Sequence, residues 1–271
     1  MLSFLMQKTT VNFVHANGFP AGSYQTLFSY FPENIEVIAH EKYGHNPNYP
    51  IKNNWQHLVE ELVDFIKSQQ HNNEKIICVG HSFGGVISFM AACKYPELFK
   101  GLIMLDPPVI TGSTALAVRL IKKTRLIDKF SPSGKAMTRR THWPLGTDIV
   151  ELFAKRKLFR HFDRRSLVDY VNSGVVERNA QQELVFDANV EADIFRHLPS
   201  NLASFKDKLI VPATLIYAEQ TDVCPNPKQV FQRFAKLNKK VTLKTVNGGH
   251  MFPLEQPEET AQLITDIIKN V

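Results

Sequence analysis

Cysteine is scarce in this chain. Only Cys78, Cys93 and Cys224 occur, an odd number with no regular spacing. That pattern argues against a disulfide framework and against a zinc site, and a reducing, cytoplasmic setting is the expectation that follows. Long hydrophobic runs are missing as well. No stretch approaches the ~20 apolar residues that cross a bilayer, and the opening Met1-Leu2-Ser3-Phe4-Leu5-Met6-Gln7-Lys8 has too short an apolar run for a signal peptide. Stable membrane insertion is not expected. Internal repeats and low-complexity segments are absent too. With 44% hydrophobic residues among 271, the chain can build one large α/β domain or a core carrying an inserted subdomain. The net charge of +6 speaks by itself to solubility and not to a nucleic-acid partner; its distribution matters more.

The most informative stretch runs from Lys75 to Ile87. Ile76-Ile77-Cys78-Val79 reads as a buried strand, and Gly85-Val86-Ile87-Ser88-Phe89-Met90-Ala91-Ala92-Cys93 reads as a helix packed on it. Between them lies Gly80-His81-Ser82-Phe83-Gly84. A serine at such a turn is held in a strained conformation with its hydroxyl above the sheet edge. Strand and helix approach so closely there that the positions two before and two after the serine have no room for side chains, hence glycine at both. The helix N-terminus aims its free N–H groups at the same place and favours a developing negative charge.

Around this stretch, strands and helices alternate. Strands are predicted at Thr10–His15, Ile35–Ala39, Gly101–Asp106, Ala213–Ala218 and Val241–Val246. Helices are predicted at Ser23–Phe31, Trp55–Ser68, Pro227–Leu237 and Pro257–Ile268. The alternation implies a parallel sheet covered by helices on both faces. From Pro107 to about Lys206 no strong strand signal appears, and helices are expected at Ala115–Phe130, Thr147–Phe159 and Arg165–Ser173.

A serine hydroxyl needs a base to take its proton, and the base needs an acid to orient it and stabilise its cation. His250 is the candidate base. It follows a predicted strand on the pair Gly248-Gly249, with a helix soon after. Asp222, on the loop four residues past the Ala213–Ala218 strand, is the preferred acid. Glu219, nearer that strand, is a weaker candidate, and Asp106, ending the strand after the serine's, remains an alternative to a role as a cap for the turn at Pro107-Pro108.

The order Ser82, Asp222, His250 on this strand pattern resembles the α/β-hydrolase family. Gly80-His81-Ser82-Phe83-Gly84-Gly85 is similar to its nucleophile elbow. Ala218-Glu219-Gln220-Thr221-Asp222-Val223-Cys224-Pro225 resembles its acid loop with alanine in place of the leading glycine, and Gly249-His250-Met251-Phe252-Pro253 resembles its histidine loop. The resemblance implies an oxyanion hole of two backbone N–H groups. One is that of Phe83. The other comes from the loop His15-Ala16-Asn17-Gly18-Phe19-Pro20: Asn17 by register from His15, or Phe19 if the loop aligns on Gly18-Phe19-Pro20. His15 itself reads as a loop-organising hydrogen-bonding residue.

The expectation is a single α/β-hydrolase domain, with a mostly parallel central sheet, helices on both faces, core segments 1–106 and 207–271, and a helical lid over 107–206. Between Pro107 and Ser200, sixteen basic residues face ten acidic ones, so this insertion holds the whole net charge of six. It reads either as a solvated helical surface or as a mouth that attracts anionic substrates or lipid headgroups. The resemblance implies a serine hydrolase acting on a small-molecule ester or thioester without metal or organic cofactor. An acyltransferase, a carbon–carbon bond hydrolase, a cofactor-free haloperoxidase and a non-catalytic ligand-binding protein stay open. A serine at the elbow disfavours the dehalogenase and epoxide hydrolase branches, which place aspartate there. Oligomeric state is left undetermined by the sequence.

Overall fold

The computed structural model describes residues 8–70 and 74–271; the reading of Met1–Gln7 as too short for a leader lies outside the described residues. Six strands form the main sheet: β1 (Thr9–Val14), β2 (Ile35–Ala39), β3 (Ile76–His81), β4 (Phe99–Leu105), β8 (Ala213–Ala218) and β9 (Val241–Val246), in the order β2-β1-β3-β4-β8-β9 with every pair parallel. Between β4 and β8 lie three short strands, β5 (His142–Pro144), β6 (Val175–Arg178) and β7 (Gln181–Leu184). The helices in chain order are α1 (Gln25–Ser29), α2 (Gln56–Gln69), α3 (Phe83–Lys94), α4 (Gly112–Ile121), α5 (Ile127–Phe130), α6 (Ser133–Thr138), α7 (Ile149–Ala154), α8 (Arg164–Gly174), α9 (Ala188–Arg196), α10 (Pro227–Leu237), α11 (Phe252–Glu255) and α12 (Pro257–Ile268).

The sheet is sandwiched because alternate residues of its central strands leave on opposite faces. Cys78, Leu102, Met104 and Leu215 pack under Leu58, Leu62 and Ile66 of α2, Val86 and Phe89 of α3, and Phe231 and Phe234 of α10. Ile77, Val79, Ile103, Leu105 and Ile216 face Leu27 of α1 and Ile264 and Ile268 of α12 on the other side. Each fully buried Val, Leu, Ile, Met or Phe side chain among these contributes roughly 1.5–3 kcal/mol through burial. In a parallel sheet every strand delivers its C-terminal end to the same edge, where sites of this architecture form. The loops after β1, β3, β4 and β9 therefore bring Asn17, Ser82, Asp106 and His250 to one rim.

The segment between β4 and β8 departs from the all-helical expectation. It carries α4 to α9, and also a three-stranded antiparallel sheet in the order β5-β7-β6. These strands are three or four residues long and mostly polar, too short to set up the period-two alternation that marks a strand in sequence. The β6–β7 hairpin turns through Asn179 and Ala180, both at positive φ (51° and 57°). That is the twist-matched hairpin turn usually signalled by Asn-Gly, here disguised by alanine. The predicted helix Ala115–Phe130 is two helices, α4 and α5, separated by a turn. The segment is bound to the core: the Trp55 indole N–H donates to the Ile194 carbonyl of α9 at 2.8 Å, and the Thr26 amide and hydroxyl both donate to Asp169 of α8 at 2.6 Å.

Candidate active site

Ser82 joins β3 to α3 at φ 54°, ψ −120°, a backbone region that costs a non-glycine residue strain and that surrounding structure must impose. The imposing contacts are visible. The Ser82 amide donates to the Leu105 carbonyl at 2.8 Å, and the Ser82 carbonyl accepts from the Gly85 amide at 3.0 Å. A Cβ on Gly80 would strike the backbone of Gly84, and one on Gly84 would strike the Val14 carbonyl and lie 2.7 Å from that of His15. The two glycines are thus required by backbone packed on backbone. We expect Gly84→Ala to destabilise the fold by about 3 kcal/mol or more, because rigid carbonyls rather than a side-chain end must move; urea unfolding measures it, and a loss under about 1 kcal/mol would mean that β1 and α3 are not so tightly apposed.

The Ser82 hydroxyl lies 3.0 Å from His250 Nε2, and His250 Nδ1 lies 2.6 Å from Asp106 Oδ2. Both ring nitrogens are thereby taken. Asp222, expected to orient the histidine, does not do so: it is exposed, and its carboxylate makes no hydrogen bond among the described residues. The loop after β8 instead serves the other partners. The Ala218 amide donates to Asp106 Oδ1 at 3.2 Å, and the Thr221 hydroxyl makes a short hydrogen bond to Asp106 Oδ2. The Gln220 amide donates to the Gly248 carbonyl at 3.1 Å, and the Gln220 side-chain oxygen accepts from the Gly248 amide at 3.0 Å. The stretch that resembles an acid loop thus laces the acid and the histidine loop into place. Asp106 is fully buried, at φ 47°. Its buried charge is met by Thr221, Ala218 and His250, the arrangement a carboxylate needs away from water.

Two further histidines organise the rim. The His15 Nδ1–H donates to the Ala16 carbonyl at 2.8 Å, and its Nε2 accepts from the Tyr43 amide at 2.9 Å. Burial pushes its pKa down to about 3, so it stays neutral and holds one tautomer. His81 accepts the Tyr24 hydroxyl at Nδ1 (2.7 Å), and its Nε2–H donates to the His250 carbonyl at 3.0 Å. Burial first, and then the neighbouring His250, hold its pKa well below the ordinary histidine value. Because the Tyr24 hydroxyl also accepts the Ala16 amide at 3.2 Å, one neutral relay ties the loop after β1, the turn at Ser82 and the loop of His250. Sequence reading did not assign this role to His81 or Tyr24; only the histidine inside the glycine-serine turn hinted at it.

Phe83 opens α3, so its amide is among the first-turn N–H groups with no carbonyl a turn earlier to receive them. In the loop after β1, the Phe19 amide donates to the Ala16 carbonyl at 3.1 Å. No hydrogen bond takes the Asn17 amide among the described residues. The Asn17 side-chain amide donates to the Glu191 carbonyl of α9 at 2.9 Å, and Gly18, at φ 83°, completes the turn with the Glu191 carboxylate against it. Glu191 pairs with Arg139 at 2.6 Å. Burial raises its pKa, and the Arg139 charge opposes that rise.

Comparison with known proteins agrees with this architecture. Residues 13–263 match the alpha/beta hydrolase family. Proline iminopeptidase of Saccharolobus solfataricus is 23% identical over 96% of this chain and 85% of its own. Monoglyceride lipase of Rattus norvegicus is 22% identical over 93% and 78%. Among solved structures, E-2-(acetamidomethylene)succinate hydrolase superposes with a TM-score of 0.75 at 17% identity, over 97% of this chain and 93% of that one. The thioesterase domain from the curacin biosynthetic pathway does so with 0.72 at 15%, over 96% and 92%. The parallel sheet with its strand-turn-helix serine, and a family match running through both core segments, lead to one conclusion: this chain belongs to the alpha/beta hydrolase family.

Proposed function

We propose that this hydrolase cleaves a carboxylic ester or thioester of a small molecule through an acyl-enzyme, with Ser82 as nucleophile, His250 as general base and Asp106 as the acid that orients it. The observation that carries the reading is the hydrogen-bonded line from the Ser82 hydroxyl through both nitrogens of His250 to the buried Asp106 carboxylate. Asp106 accepts from Nδ1–H, which leaves Nε2 unprotonated toward the serine. As Ser82 Oγ attacks the carbonyl carbon, its proton passes to Nε2, and Asp106 stabilises the imidazolium that forms. The charge that develops on the carbonyl oxygen is received by the Phe83 and Asn17 backbone N–H groups, with the α3 N-terminus behind the first. His250 then returns the proton to the leaving alcohol or thiol. Water, deprotonated by the same nitrogen, attacks the acyl-enzyme, and Ser82 regains its hydrogen.

The segment 107–206 serves as the lid. The hydrogen bond from Asn17 to α9 and the edge-on packing of Phe186 against His15, at 6.0 Å between ring centres, support a position directly over the oxyanion loop. A monoglyceride lipase and a thioesterase domain among the similar proteins favour acyl transfer to water as the reaction class. The test is a fluorophosphonate label followed by an activity profile over esters and thioesters of graded acyl length. The expected result is a single label on Ser82 and turnover of at least one short-chain series. A chain that takes no label and turns over none of them would make this a ligand-binding member of the fold.

A further inference from the structure

Helix α4 breaks the rule that an apolar helix face is buried. It has ten residues, among them Leu116, Val118, Leu120 and Ile121, and none of the ten is buried. Leu116 and Leu120 are 60% and 59% exposed, one turn apart on the same face. After the turn, Leu126 is 48% exposed and Phe130, ending α5, is 73% exposed. Isolated exposed leucines are ordinary; four large exposed apolar side chains within fifteen residues, two of them on a helix with no buried residue, mark a binding surface.

The charges interleaved with them are of one sign. Gly112–Phe130 contains Arg119, Lys122, Lys123, Arg125 and Lys129 against the single acid Asp128, and Asp128 is already held by Arg196 at 2.7 Å and by Ser133. Lys122 anchors the helix end, donating to Asn54 at 2.8 Å and to the Leu198 carbonyl at 2.7 Å. Among the described residues, Arg119, Lys123, Arg125 and Lys129 meet no carboxylate, and all four are exposed. Arg119 and Lys123 each stand three residues beyond Leu116 and Leu120, so cation and apolar group share one flank. Beside them Lys122, Lys123, Arg125, Arg196 and His197, with the Arg196-paired Asp128, line an open cavity of about 490 Å³, wide enough for a phosphate headgroup.

We propose that α4, α5 and the turn between them dock this enzyme onto an anionic lipid bilayer. Leu116, Leu120, Leu126 and Phe130 enter the interface, and the unpaired cations meet the phosphates. The charge argues against a second copy as occupant, since two such faces would bring four unpaired cations against four. A bilayer supplies the apolar and anionic chemistry in one plane, as the interleaving requires. No helix among the described residues is long and apolar enough to cross a membrane, so the attachment is peripheral. The inference stands independently of the hydrolytic reading.

Flotation with vesicles tests it. The chain should float with equal parts phosphatidylcholine and phosphatidylglycerol, and stay behind with phosphatidylcholine alone. Lys123→Gln with Arg125→Gln should weaken binding about 25-fold, about fivefold for each lost charge. Leu120→Ser and Phe130→Ser should each weaken it about tenfold. All four positions are exposed, so the thermal midpoint of each variant should be unchanged, separating loss of docking from loss of fold. Equal flotation with both vesicles, none with either, or wild-type flotation of the apolar or the charge variants would overturn the proposal. So would a dimer in sedimentation that Phe130→Ser dissolves.

Discussion

Ser82→Ala should lower kcat/KM for any substrate of this enzyme by about 10⁵- to 10⁶-fold while leaving the fold intact. The substitution removes one oxygen and nothing that positions the turn. The Ser82 amide still donates to Leu105, and its carbonyl still accepts from Gly85. Alanine tolerates the left-handed φ no worse than serine does. What disappears is the atom that His250 Nε2 faces at 3.0 Å. The N–H groups of Phe83 and Asn17 would remain, and would keep some stabilisation of the oxyanion, which is why a residue of catalysis above the uncatalysed rate is expected. Steady-state rates, together with phosphonate labelling of the variant, make the measurement. Activity within tenfold of the wild type, or a label that survives, would remove Ser82 from the nucleophile's role.

Asp106→Asn should cost roughly 10⁴-fold, and Asp222→Asn less than about threefold. The carboxylate of Asp106 can only accept, and it accepts from Ala218, Thr221 and His250 together. An amide in its place would keep its single oxygen for Ala218 and turn its NH₂ toward His250 and Thr221, whose hydroxyl would then have to accept. The imidazole would then carry its proton on Nε2 and donate to Ser82 instead of accepting from it, which is the wrong tautomer for a base. Asparagine adopts positive φ readily, so the backbone at φ 47° is not the cause of the loss. Asp222 is exposed to solvent, and both ring nitrogens of His250 are bonded to other residues. The paired variants therefore separate the two strands as sources of the acid: the reverse ranking would return that role to the loop after β8 and would make the 2.6 Å Asp106–His250 contact a structural one.

Much of the fold is legible in the chain because it depends on local patterns. The strands Ile35–Ala39, Ala213–Ala218 and Val241–Val246 fall where the β-branched runs put them. Gly80 and Gly84 announce the close approach of β3, α3 and β1 through the absence of side chains. The insertion was less legible. β5, β6 and β7 are too short to show a period, and the Leu116–Leu120 stripe of α4 faces solvent in the structure. Periodicity reports that a face is apolar and says nothing about what covers it.

The chain by itself determined the parallel α/β architecture, the strained serine turn and the histidine on a glycine pair, because each is written in consecutive residues. Tertiary structure decided which carboxylate meets that histidine. Asp106 and Asp222 both follow strands that end at the same rim, and sequence spacing cannot distinguish them. Only the packed sheet shows that β4 lies between the strand carrying Ser82 and β8, that Asp106 turns inward beneath His250, and that Thr221 and Gln220 use up the loop from which Asp222 would have had to reach.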